Sequence, residues 1–269
     1  MTEKKQISRM VGLTAEIVKS AEAASNDRVT TLTTTADEIK RLWSQEYGRA
    51  VRACLSRAEV REIVGEAKRK AWPNINDAPV RMGSMREFAQ RASALGADFR
   101  IAKMAWPSGL AVLGFYLGRD SGLENRPLIC LNGAHHPAVV GTAFIHEAGH
   151  HVTAKLFSAR DESVQLSRQT GYEAHLSDPR ELAADVLVSL GLYPRNMAVK
   201  LFETAPPKKM NSGVDERMQL QVAAKTVLGT AHRYGLDLEN LPLQQRLQYQ
   251  AGLVHFTRLR QALLEEYGF

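Results

Sequence analysis

Residues 143–151 read Ala-Phe-Ile-His-Glu-Ala-Gly-His-His, and within them His146-Glu147-Ala148-Gly149-His150 carries the spacing His-Glu-x-x-His. Residues four apart on an α-helix lie about 40° from each other around the axis, so His146 and His150 project from one face. Two imidazoles so placed can take adjacent corners of a zinc tetrahedron, and Glu147 is turned to reach a water at an open corner. Zinc lowers the pKa of such a water toward ~7, and a nearby carboxylate takes its proton as it attacks a carbonyl. The spacing works only on a helix. Pro137 suits a first turn, and Val139, Val140, Ala143, Phe144, Val152 and Leu156 supply apolar positions on both sides of the motif.

A third ligand has to come from downstream. Ser177-Asp178-Pro179 reads as a helix start that puts Glu181 in the first turn, with Leu182, Leu187, Val188 and Leu190 continuing the apolar pattern to Gly191. Glu181 and Asp185 are also four apart. The first can complete a His-His-Glu set around one zinc, and the second can accept the other ring N–H of a ligating histidine. The plainer reading makes both of them acids favoured by the helix dipole. Glu173 competes as third ligand, but no Asp follows it at helical spacing.

The run Phe144 to His150, followed by Arg180-Glu181-Leu182-Ala183-Ala184-Asp185, resembles the zincin metallopeptidases whose third ligand is a glutamate, and among them the ImmA/IrrE family. Pro127 to Asn132 matches the family's short strand ending in Asn, and Leu192-Tyr193-Pro194 its proline exit. The likeness covers roughly residues 95–205. It implies an α+β, mainly helical zincin-like domain with a small sheet, one zinc, and cleavage of a protein substrate, in the best-known members a DNA-binding regulator. Two departures stand out: His151-Val152 replaces the usual apolar pair after the second histidine, and no helix-turn-helix companion is evident.

The rest of the chain frames this core. Its 269 residues are 44% hydrophobic and 24% charged, with a net charge of +6 that permits an acidic partner without demanding one. Met1 to Arg9 is polar, without the apolar core of a signal peptide, and no run of eighteen apolar residues occurs. Cys54 and Cys130 lie far apart and read as free thiols. A cytoplasmic protein with no membrane segment is expected.

Three parts are expected: a helical region over 1–82, a metallopeptidase core over 83–206, and a helical region over 207–269. In the first, Ile7, Met10, Val11, Leu13, Ile17 and Val18 make one amphipathic face, and Ile39, Leu42, Trp43, Tyr47, Val51 and Leu55 another. Ser56 with Glu59 forms a capping box that starts a further helix, whose outer face carries Arg57, Arg61, Lys68, Arg69 and Lys70. Such a run is commonly a solvated face, with nucleic-acid contact the sharper alternative. In the second part the pattern predicts a short helix from Met85 to Ala94 and strands over 98–104, 110–117 and 127–131, an edge of which can pair with an extended peptide. In the third, helices are expected over 214–234 and 243–267, with apolar positions that include Leu220, Val222, Val227 and Leu228, then Val254, Leu259 and Leu263.

The other histidines are assigned outside the ligand set. His151 is turned about 100° from His150, and His135 and His136 suit loop or cap roles. Tyr172 and His175, just before the Glu181 helix, are candidates to stabilise the oxyanion that forms on the carbonyl. His232 and His255 read as satisfied structural histidines. Two rival functions fit the same motifs: an HtpX-like soluble peptidase, and a zinc-stabilised interaction or nucleic-acid-binding module of the ArdC antirestriction type.

Overall fold

In the computed structural model the described residues are 46–80, 83–103, 113–118, 126–157, 172–203, 229–238 and 240–269. They form an α+β, mainly helical fold with a small three-stranded mixed sheet. The expected amphipathic face over residues 7–18, positions 39–43 and the apolar positions Leu220, Val222, Val227 and Leu228 lie outside the described residues.

The helices start and stop where local chemistry dictates. Helix α1 (Tyr47–Cys54) buries Tyr47 and Val51, with Leu55 on the same side just past its end. Helix α2 (Arg57–Lys70) begins at the Ser56–Glu59 capping box and buries Val60, Ile63, Val64 and Ala67, an i, i+3, i+4, i+7 stripe. Helix α3 (Met85–Ala94) has a second capping box, Ser84 with Glu87, and stops at Gly96, whose φ of 76° suits a residue without a Cβ.

Strands β1 (Asp98–Ala102), β2 (Gly114–Leu117) and β3 (Leu128–Asn132) follow in the order β1-β3-β2. The pair β1–β3 is parallel, with Asp98 opposite Leu128, and β2–β3 is antiparallel, with Leu117 opposite Leu128. All five residues of the central β3 are buried, whereas β1 exposes Arg100, Ile101 and Ala102. The expected strands are therefore present: residues 103 and 113 lie just outside the first two, the third is shifted by one residue, and residues 104 and 110–112 lie outside the described residues.

Two helices are apolar nearly all round because other elements cover them on several sides. Helix α4 (Pro137–Phe157) crosses β2 and β3, and α6 (Pro179–Leu192), preceded by the single-turn α5 (Tyr172–Ser177), packs along α4. Residues of α6 from Leu182 to Leu192 are all buried. After α7 (Arg195–Glu203), residues 229–233 are helical and end at Gly235 (φ 68°). Helix α8 (Leu243–Ala262) then runs on through a wider π-type stretch, Leu263–Tyr267, and packs on α6 and α1.

Buried residues from all three sequence segments share one apolar core, from Val51 and Ile63 through Phe144 and Leu187 to Val254 and Leu263. Arg260, fully buried on α8, helps join them. Its guanidinium donates to Tyr193 O (2.6 Å), Asn76 Oδ1 (2.8 Å) and Phe269 O (2.9 Å). No helix among the described residues is long and apolar enough to cross a membrane.

Candidate metal centre

Helix α4 carries the two motif histidines and α6 brings the carboxylate to them. Asp178 caps α6 by accepting from Arg180 N at 2.9 Å, and Pro179 occupies its first turn, which fixes where Glu181 leaves the helix. The approach of the two helices depends on Gly149. A Cβ there would lie 3.1 Å from Cα of Ala184, so any larger residue would push α6 away. With glycine in place, His146 Nε2 lies 3.0 Å from His150 Nε2 and 3.2 Å from Glu181 Oε2, and His150 Nε2 lies 3.5 Å from that oxygen. Zinc bonds of about 2.0–2.2 Å in a tetrahedron set ligand atoms roughly 3.3–3.6 Å apart. The three ligand-type atoms, at 3.0, 3.2 and 3.5 Å from one another, therefore converge to within a few tenths of an ångström of three corners around one small cation.

Asp185, one turn further along α6, is completely buried and takes three histidines. His146 Nδ1 lies 2.8 Å from its Oδ1, while His175 Nδ1 (2.7 Å) and His255 Nε2 (2.8 Å) share its Oδ2. These are lengths of charge-assisted hydrogen bonds and shorter than ligand-to-ligand spacings. His146, Glu147 and His150 form one group of ligand-type side chains within reach of a cation and His175, Asp185 and His255 another, and in the second a cation is thereby disfavoured against a hydrogen-bonded hub. An ionised carboxylate only accepts, so each ring presents an N–H to it. In its neutral form His146 then keeps its Nε2 lone pair on the Glu181 side, the tautomer a metal ligand needs.

Electrostatics follow the same geometry. Burial opposes the charge of Asp185, but His175, His255 and His146 outweigh it and hold its carboxyl well below the usual range. Burial likewise opposes ionisation of Glu181, and the adjacent His146 and His150 rings bring its pKa far down. For His146 and His175 burial disfavours the cation, yet Asp185 more than compensates and both titrate above an ordinary histidine. For His255 burial prevails and lowers its pKa.

Glu147 sits between α4 and the sheet, where burial raises its pKa against the pull of His146 and His150. Gly114 at the start of β2 makes room for it, since a Cβ at 114 would lie 3.1 Å from Glu147 Cγ and 3.0 Å from Cys130 O. Along the same strand the Tyr116 ring stacks beside His150, with centroids 6.3 Å apart and planes at 19°. The Tyr116 hydroxyl lies 3.1 Å from His151 Nδ1, and the other nitrogen of His151 lies 2.9 Å from Leu95 O. His151 thus ties the motif helix to the sheet and to the end of α3.

The structure brings His146, Glu147, His150, Glu181 and Asp185 together, and places His175 beside them with its Nε2 3.9 Å from Glu181 Oε2. Side chains of Tyr172 and Glu173 lie outside the described residues. His136 accepts from Ala138 N at 3.2 Å, a cap for α4, and His135 Nδ1 pairs with Tyr249 Oη at 2.6 Å, so both stand apart from the site. His255 is satisfied and structural, as its sequence setting suggests, but it touches the site's central carboxylate. Tyr47, whose hydroxyl lies 2.9 Å from His255 Nδ1, was not legible at all as part of the site. A partner 208 residues away leaves no mark in local spacing. Compared with known proteins, the chain matches no family model, no curated protein and no solved structure.

Proposed function

We propose that this chain is a metallopeptidase that holds one zinc with His146, His150 and Glu181 and cleaves a peptide bond in a protein substrate. The convergence of His146 Nε2, His150 Nε2 and Glu181 Oε2 at 3.0–3.5 Å carries the reading. Two imidazoles and a carboxylate, without a thiolate, are a donor set common to catalytic zinc sites. Zinc bound there supplies a Lewis acid that polarises the scissile carbonyl and makes water a nucleophile near neutral pH.

The chain's own groups do the rest. Glu147, on the sheet side of the same helix, takes the proton from the attacking water and passes it to the leaving amide nitrogen. His175, held at Nδ1 by Asp185, donates from Nε2 to the oxyanion that develops on the carbonyl when its ring is protonated. Strand β2, which pairs only with β3 among the described residues, offers its other edge to an extended peptide beside Glu147. Glu147→Gln should bind zinc as the wild type does and cleave nothing. Cellular proteins compared with and without that variant would reveal the substrate, for which a DNA-binding regulator of the ImmA/IrrE kind is the class to examine first. Retained cleavage by the variant would refute the assigned role.

The nucleic-acid reading of the basic helix α2 has less behind it. Lys68 is paired with Asp77 at 2.9 Å, Arg69 and Lys70 are paired with Glu66, and Lys70 also donates to Val152 O at 3.1 Å. Three of its five cations are therefore engaged within the fold, two of them with Glu66.

A further inference from the structure

The hydrogen bonds around Asp185 extend away from the candidate metal through two residues of other elements. His255 of α8 is fully buried and reaches Asp185 with Nε2 at 2.8 Å. Its Nδ1 lies 2.9 Å from the hydroxyl of Tyr47 on α1, itself buried. The directions in this chain are fixed by elementary donor and acceptor rules. Asp185 accepts, so a neutral His255 carries its proton on Nε2, its Nδ1 must accept, and the Tyr47 hydroxyl donates to it at 2.9 Å, with the His255 carbonyl oxygen a second, longer acceptor at 3.3 Å. Oδ2 of Asp185 is shared by His255 and His175, and Oδ1 holds His146, so the orientation of one carboxylate sets two rings that face the metal.

We infer that Tyr47 and His255 are positioning residues for the metal centre: Tyr47 fixes the His255 tautomer, and His255 in turn locks the Asp185 carboxylate that orients His146 and His175. The inference rests on the metallopeptidase reading of His146, His150 and Glu181. Outer hydrogen-bond partners of zinc ligands commonly change affinity by 10- to 100-fold when removed. The relay from Tyr47 ends three hydrogen bonds from the ligand His146, so the lower end of that range applies.

Tyr47→Phe removes one hydroxyl and leaves the packing. Tyr193→Phe is its control: Tyr193 is equally buried and its hydroxyl meets Thr257 Oγ1 at 2.9 Å and Thr230 Oγ1 at 3.3 Å, away from Asp185. Zinc affinity of the full chain, measured by competition with a chromophoric chelator at a temperature where every protein is folded, should fall about tenfold in Tyr47→Phe and stay unchanged in Tyr193→Phe. The visible spectrum of the cobalt-loaded protein should shift only in the former. Nitrogen-15 NMR of wild-type histidine rings gives a readout without a variant, with His255 expected as the Nε2–H tautomer. Wild-type affinity and spectrum in Tyr47→Phe, equal losses in both variants, or an Nδ1–H tautomer of His255 would each overturn the inference. A wild-type protein that binds no zinc would instead overturn the reading beneath it.

Discussion

A few tenths of an ångström separate the two kinds of contact at this site. Nitrogen-to-oxygen distances of 2.7–2.8 Å mark Asp185 as a hydrogen-bond acceptor, whereas His146, His150 and Glu181 converge at the slightly longer 3.0–3.5 Å, near the spacing of ligands around a small cation. Asp185→Asn should weaken zinc binding by about 10- to 100-fold, read by chelator competition, because an amide cannot accept three N–H groups as a carboxylate does. His175→Gln should keep zinc and lower kcat by about 10²–10³, with KM little changed, if its ring stabilises the oxyanion. Burial pushes the Cys130 thiol up to about 11, ahead of the influence of Glu147, so at pH 8 roughly one molecule in a thousand carries the thiolate. Iodoacetamide should therefore label the half-buried Cys54 well before Cys130 in the folded protein, and mass mapping would show the order. His146, Glu147, His150, Glu181 and Asp185 were legible in the sequence because each pair sits within one helix, where spacing dictates geometry. Tyr47 and His255 were not, because their partners lie on other elements.

Between elements, two glycines decide how close backbone can come to backbone. Gly149 sits inside the histidine motif, where a Cβ would meet the Ala184 backbone at 3.1 Å and its side chain at 3.3 Å. Neither neighbour is a flexible side-chain end, so Gly149→Ala should wedge α4 from α6, costing about 1–3 kcal/mol in denaturant unfolding and weakening zinc binding together. Gly114 does the corresponding work for β2, where a Cβ would meet the backbone oxygen of Cys130 at 3.0 Å and the Glu147 side chain of α4 at 3.1 Å. Gly114→Ala should displace Glu147 and lower kcat while zinc content stays near one per chain, a separation of effects that metal analysis and turnover measure independently. Element boundaries followed from capping boxes, Asp178-Pro179 and Gly96, each a local signal. Strand order was not accessible that way, since the parallel pairing of β1 with β3 joins residues about thirty apart, and no turn chemistry specifies it.

At the scale of the whole molecule, helices on either side of the motif segment in sequence close around it in space. The α2 stripe Val60, Ile63, Val64 and Ala67, the α8 residues Val254 and Leu259, and Leu263 just beyond α8 belong to the core that holds α4 and α6. A fragment of residues 83–206 alone would expose those faces and lose His255, so it should lack a cooperative unfolding transition by circular dichroism. The claim on which the functional account stands is the location of one cation. A crystal of the zinc-loaded protein, with anomalous differences collected at the zinc edge, measures it directly. The account predicts one peak about 2.0–2.2 Å from His146 Nε2, His150 Nε2 and Glu181 Oε2. A peak lying instead among His175, Asp185 and His255, or no peak at all, would contradict it.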